Sequence, residues 1–241
     1  MLKLFIPFQK LQEKFAGNGK RKWDTRKLTV LAMLTALAFI VALVRIPTGL
    51  LFFRYEAKDV IITIGGFIYG PSAVIAMSIV LSYIEMMTVS DTGYFGFIMN
   101  VIATCTFAGT AALVYKKWRT ITGAAVGLIA GIMVNVPVML MWNYFILPLF
   151  MPAVTREQAL AMLVPVILPF NLIKGILNSA LIMMLYKPLR NALDKARILP
   201  RSTNLDSQTP KSTKMNVGVL LISVFAVVTC VLFILSWRGI I

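Results

Sequence analysis

The chain has 241 residues, of which 59% are hydrophobic and 14% charged, with a mean hydropathy of +0.84. That composition excludes a soluble fold and leaves room for several spans of about 20 residues, but for no sizeable extramembrane domain. The net charge of +15 would suggest nucleic acid in a soluble protein; here Lys and Arg sit between apolar runs, where they orient the chain and meet anionic lipid, so no nucleic-acid partner is expected.

In chain order, residues 1–27 form a basic segment in which Phe5, Phe8, Leu11 and Phe15 recur at helix-like spacing among lysines, a pattern that fits an interfacial helix or a disordered tail. Apolar runs then predict spans near 28–44, 60–69, 72–89, 97–115, 121–147, 159–186 and 217–237. The second is short, and Gly65-Gly66 and Gly70-Pro71 allow close packing or a tight turn into the third. From Asn191 to Lys214 the composition shifts to Ser, Thr, Asn, Asp, Pro and Lys, which reads as a polar tether between a six-helix unit (28–190) and one appended helix (215–241). Of the 24 Lys and Arg, eighteen fall in the N-terminal segment, the loop near residues 115–120 and the tether; the positive-inside rule places these in the cytoplasm, with the N-terminus. The expected architecture is an all-α integral membrane bundle of six helices plus one.

Chemistry is restricted by what is missing. The chain has no histidine, and Cys105 and Cys230 both lie in apolar runs, so a His base, an H-E-x-x-H zinc site and a disulfide framework are all unavailable. No G-x-x-x-x-G-K-[ST] phosphate loop occurs. A protein without catalytic residues, metal or cofactor is expected.

The informative residues are polar groups inside spans. A cation near the centre of a span costs about 2.5–3.5 kcal/mol on insertion scales, so Lys174 requires an acceptor, water or a ligand. Asn171 and Asn178 lie three before and four after it, on one helical face, and Pro165 and Pro169 disturb the helix just upstream. Asn100 and Asn143 reach similar depth from other spans. Asn143 fits either an interhelical hydrogen bond or a ligand contact. Its neighbours Trp142 and Tyr144 fit the interfacial aromatic belt or stacking on a flat ligand. Glu85 is expected to be interfacial, snorkelling to water rather than serving Lys174. Arg45, Arg54, Glu56, Lys58 and Asp59 form a first outer loop, either simply solvated or acting as a lid. Ala32 and Ala36 make a small-xxx-small pair for helix approach, as do Ala38 and Ala42.

These residues resemble the substrate-binding S component of energy-coupling factor (ECF) vitamin transporters, riboflavin-specific branch, over about residues 26–189. The resemblance is carried by Asn143-Tyr144-Phe145 with Leu147-Pro148-Leu149, and by Leu168-Pro169-Phe170-Asn171-Leu172-Ile173-Lys174-Gly175. Asp59-Val60, Phe67-Ile68-Tyr69-Gly70-Pro71, Met99-Asn100 and residues 32–36 support it. It implies a vitamin pocket on the extracellular side, with Asn143, Asn171 and Lys174 on flavin-contacting positions; Asn100 and Tyr144 are expected to bind substrate beside them. It further implies that Ala32 and Ala36 meet a transmembrane T component, and that two cytoplasmic ATPases supply energy. The residues alone leave open flavin mononucleotide or another vitamin as ligand, and a non-transport membrane scaffold.

Overall fold

A computed structural model of the chain describes residues 25–47, 54–90, 92–151 and 154–195, and residues 218, 221, 223–225 and 227–230 of the final segment. The N-terminal segment to residue 24 and the tether from residue 196 lie outside the described residues. Helix α1 spans Thr25–Leu43, α2 Lys58–Tyr69, α3 Pro71–Thr88 and α5 Ile121–Phe150. Helix α4 is a continuous run of Gly93–Thr104, a π-helical turn Cys105–Gly109, and Thr110–Lys117. Helix α6 repeats that plan as Arg156–Met162, a π-helical turn Leu163–Ile167, and Leu168–Lys195. Between α1 and α2, β1 (Ile46–Pro47) and β2 (Arg54–Tyr55) pair antiparallel, Ile46 opposite Tyr55.

Five of these helices, α1 and α3 to α6, are long and apolar enough to cross a membrane. The sixth, α2, has 12 residues; at 1.5 Å per residue it is about 18 Å long, well short of the roughly 30 Å hydrocarbon core. It is viable because protein, not lipid, surrounds it: every residue from Lys58 to Phe67 is buried. Close approach is what Gly66 supplies, since a Cβ there would lie 2.4 Å from Val74 Cγ2. Gly70, at φ 91°, turns the chain straight into Pro71 at the start of α3, a conformation that favours glycine. The short second span read from the sequence is thus a true helix in the middle of the bundle.

The core of α2 (Ile62, Ile64, Phe67) packs against Leu34 and Ala38 of α1, Val74 and Met77 of α3, and Ala108 and Ala112 of α4. The two small-xxx-small pairs of α1 part company here. Ala38 and Ala42 are 0% and 1% exposed and face the bundle, whereas Ala32 and Ala36 are exposed beside exposed Met33, Leu37 and Ile40.

The π turn of α4 sits where it frees a backbone group toward protein rather than lipid. In α4 the Ala103 carbonyl accepts from Asn135 Nδ2 of α5 at 2.8 Å, and the same nitrogen reaches Thr106 Oγ1 at 2.8 Å. In α6 the π turn contains Pro165 and precedes Pro169, two residues that each lack a helix donor. Helix α6 starts in a capping box formed by Thr155 and Gln158 and runs to Lys195, so the tether begins later than Asn191. The described residues of the final segment are helical, and Cys230 packs with Tyr55 and Leu177.

Candidate ligand-binding site

At the hairpin end the helices separate around a cavity of about 390 Å³, within the range of small-molecule sites. Its apolar surface comes from Phe95, Met99, Phe107, Met139, Trp142, Phe150 and Phe170. Its polar surface comes from amides on three helices: Asn100 of α4, Asn135 and Asn143 of α5, and Asn171 and Asn178 of α6. The face shared by Asn171, Lys174 and Asn178 therefore does converge on one space, as their spacing on α6 requires.

The amides are held in place by their own helices. Asn143 Nδ2 donates to Met139 O at 2.7 Å and Asn171 Nδ2 to Ile167 O at 2.8 Å. Each side chain is buried, at 4% and 5% exposure, and is left with one N–H and a carbonyl oxygen for a ligand. Asn178 is already engaged, because its Oδ1 accepts from Tyr55 OH at 2.7 Å and so ties β2 to α6. Burial, reinforced by the nearby Asp59 carboxylate, pushes the Tyr55 phenol above its ordinary pKa, which keeps the hydroxyl a donor.

The charged residues correct two expectations. Glu85 is not interfacial: it is 2% exposed, and its Oε2 accepts from Lys58 Nζ at 2.6 Å and Asn100 Nδ2 at 3.2 Å. Its Oε1 is buried with no hydrogen-bond partner among the described residues. Nor are Lys58 and Asp59 solvated loop residues, since they open α2 and are 2% and 3% exposed. Lys58 bridges Glu85 and Glu56, the latter at 2.7 Å, and Glu56 in turn pairs with Arg45 at 3.2 Å. A chain of charges thus runs from the hairpin to α3. On the other flank of α2, Asp59 Oδ2 lies 3.1 Å from Lys174 Nζ while its Oδ1 accepts from Thr104 Oγ1 at 2.7 Å. The acceptor that Lys174 needs is Asp59. Buried charges persist only when paired and hydrogen-bonded in this way.

Of the predicted site residues, Asn100, Asn143, Asn171 and Lys174 line the cavity, and Tyr144 does not. Successive helical residues are about 100° apart, so a wall that includes Trp142, Asn143 and Ile146 turns Tyr144 aside. Its ring packs edge-on against Phe145 with centroids 5.0 Å apart. Asn135 escaped the sequence reading; an Asn two residues before Pro137 in mid-span was the available signal.

A helical membrane bundle with a partly polar, ligand-sized cavity at one end defines the class. The family model described as ECF transporter, substrate-specific component, matches residues 26–186, and the chain belongs to that family. It is 32% identical over 191 residues to the riboflavin transporter RibU of Staphylococcus aureus (strain TCH60), covering 74% of this chain and 99% of that protein. To the riboflavin transporter FmnP of Bacillus subtilis (strain 168) it is 32% identical over 183 residues, 71% of this chain and 96% of that one. A solved structure of the S component of a bacterial ECF transporter superposes with a TM-score of 0.60 at 29% identity, covering 70% of this chain and 98% of that chain.

Proposed function

We propose that this chain is the riboflavin-binding S component of an ATP-driven importer, taking the vitamin from the extracellular side and working with a T component and two cytoplasmic ATPases. The observation that carries this reading is the convergence of Asn100, Asn143, Asn171 and Lys174 on one cavity in a chain that matches two riboflavin transporters along nearly their whole length. The chemistry agrees. A flavin has a flat apolar ring system, which the Phe, Met and Trp walls suit, a pyrimidine edge of donors and acceptors, which amides suit, and a hydroxylated chain. Lys174 donates to a carbonyl or hydroxyl oxygen. The basic N-terminal segment and tether belong in the cytoplasm by the positive-inside rule, which puts the hairpin and cavity outside.

The exposed strip of Ala32 and Ala36 on α1 is assigned to the T component, because small residues free of the bundle let a partner helix approach closely. The sequence has no phosphate-binding loop, so ATP hydrolysis falls to the partners. The test is fluorescence titration of riboflavin into the purified, detergent-solubilised protein, with flavin mononucleotide and thiamine as controls. Saturable quenching by one equivalent supports the reading. Folded protein that binds neither flavin overturns it and favours another vitamin or a scaffold role.

A further inference from the structure

Lys174 taken alone is a point charge well suited to a phosphate, yet its surroundings remove that advantage. Its side chain is 21% exposed and reaches the cavity, while Asp59, 4% exposed, lies behind it with Oδ2 3.1 Å from the ammonium nitrogen. The carboxylate has little freedom to leave: Thr104 holds its other oxygen at 2.7 Å, and its place in the first turn of α2 favours negative charge. An ammonium has three donors, so one can serve Asp59 while another meets a ligand oxygen. The other carboxylates at the cavity are likewise already paired, Glu56 with Arg45 and Lys58, and Glu85 with Lys58.

We infer that Asp59 is a positioning and specificity-determining residue: by pairing with Lys174 it fixes the ammonium as a hydrogen-bond donor of compensated charge, and so selects an uncharged flavin over one bearing a phosphate. The inference rests on the flavin reading above. A neutral flavin edge accepts from Lys174 without displacing its counter-ion. A phosphate monoester brings about −1.5 to −2 charges toward an ammonium whose charge is already matched by Asp59. At an effective dielectric constant near 20, unit charges 8–10 Å apart still interact strongly enough to change an affinity by about tenfold or more.

The experiment compares riboflavin and flavin mononucleotide titrations of the full-length detergent-solubilised chain: wild type, Asp59→Asn, and the neutral pair Asp59→Asn with Lys174→Gln. Asparagine keeps the size of Asp59 and an acceptor for Thr104 but releases the Lys174 charge. Wild type is expected to favour riboflavin by about tenfold or more. Asp59→Asn should narrow that ratio by about tenfold and make mononucleotide binding salt-sensitive, as screening of an exposed charge requires. The double variant should bind both ligands more weakly with a ratio within about twofold of wild type, because the net charge of the wall is that of wild type again. An unchanged ratio in Asp59→Asn overturns the inference. So does wild-type protein that binds both flavins equally, although the flavin reading survives that result. Should Asp59→Asn not fold, the double variant decides, and a tenfold shift in its ratio overturns the inference. Wild type that binds no flavin marks failure of the underlying reading instead.

Discussion

At the end away from the hairpin, α1 to α4 meet through Val30, Leu31, Ala73, Val74, Ala111 and Ala112, each 4% exposed or less. The Tyr115 and Tyr186 hydroxyls bond to each other there, with the Phe67 ring 4.5 Å from that of Tyr115. At the hairpin end the helices part around the cavity, and ion pairs, an amide and a hydroxyl join them there: Lys58 and Asn100 to Glu85, and Lys174 and Thr104 to Asp59. Small residues bring backbones together at one end, whereas paired charges and amides border the space at the other. In lipid, where helices gain nothing from hydrophobic exclusion, association rests on such packing and on polar contacts. Both ends can therefore carry stability, one through packing and the other through its paired charges, while only the open end carries ligand chemistry.

That division can be broken by experiment. The largest effect should come from Lys58→Met, which leaves the buried Glu85 carboxylate without its cation; removing one member of a buried pair costs about 3–5 kcal/mol. A melting temperature in detergent that falls no more than for a surface substitution would show that the open end contributes little to stability through its charges. Lys174→Met should come next, weakening riboflavin by about 1.5–3 kcal/mol, the worth of a hydrogen bond to a charged group. Unchanged affinity would remove Lys174 from the site. In the closed end, Gly66→Val forces a side chain toward Val74 and should lower stability by about 1–3 kcal/mol, leaving the affinity of the folded fraction intact; loss of affinity without loss of stability would dissolve the distinction between the two ends. The smallest effect on the isolated chain belongs to bulky replacements at the exposed Ala32 and Ala36. They should leave melting and riboflavin titration unchanged and lower only co-purification with the T component.

The helices and the α6 polar stripe were legible in the sequence because both are local: apolar runs give spans, and Asn171, Lys174 and Asn178 share a face by spacing alone. The charge pairs were not, since Lys58 to Glu85 and Asp59 to Lys174 are long-range choices of partner. Adjacent opposite charges at the start of a short span look like a solvated loop until tertiary structure sends each to a different flank. Glu85 was misplaced for the same reason, as its depth depends on what packs beside it. Tyr144 shows the limit of spacing arguments in one helix, where a single step of about 100° separates a wall residue from its neighbour. Asn143 stayed ambiguous because spacing does not show where an amide donates: it bonds to Met139 of its own helix, not to a neighbouring one, and lines the cavity.

The shortness and charge of α2 also bear on how the chain is made. A segment of 12 residues that opens on Lys58 and Asp59 has a poor claim to enter the bilayer unaided, being well short of the hydrocarbon core. Glu85 emerges soon after Lys58, but Lys174 is 115 residues downstream of Asp59, a delay of roughly 6–23 s at 5–20 residues per second of synthesis. During that interval α2 is expected to wait at the membrane surface or in the shelter of the insertion machinery, and to take its central position only as α6 arrives. Biogenesis of this subunit would then end, rather than begin, with its second helix.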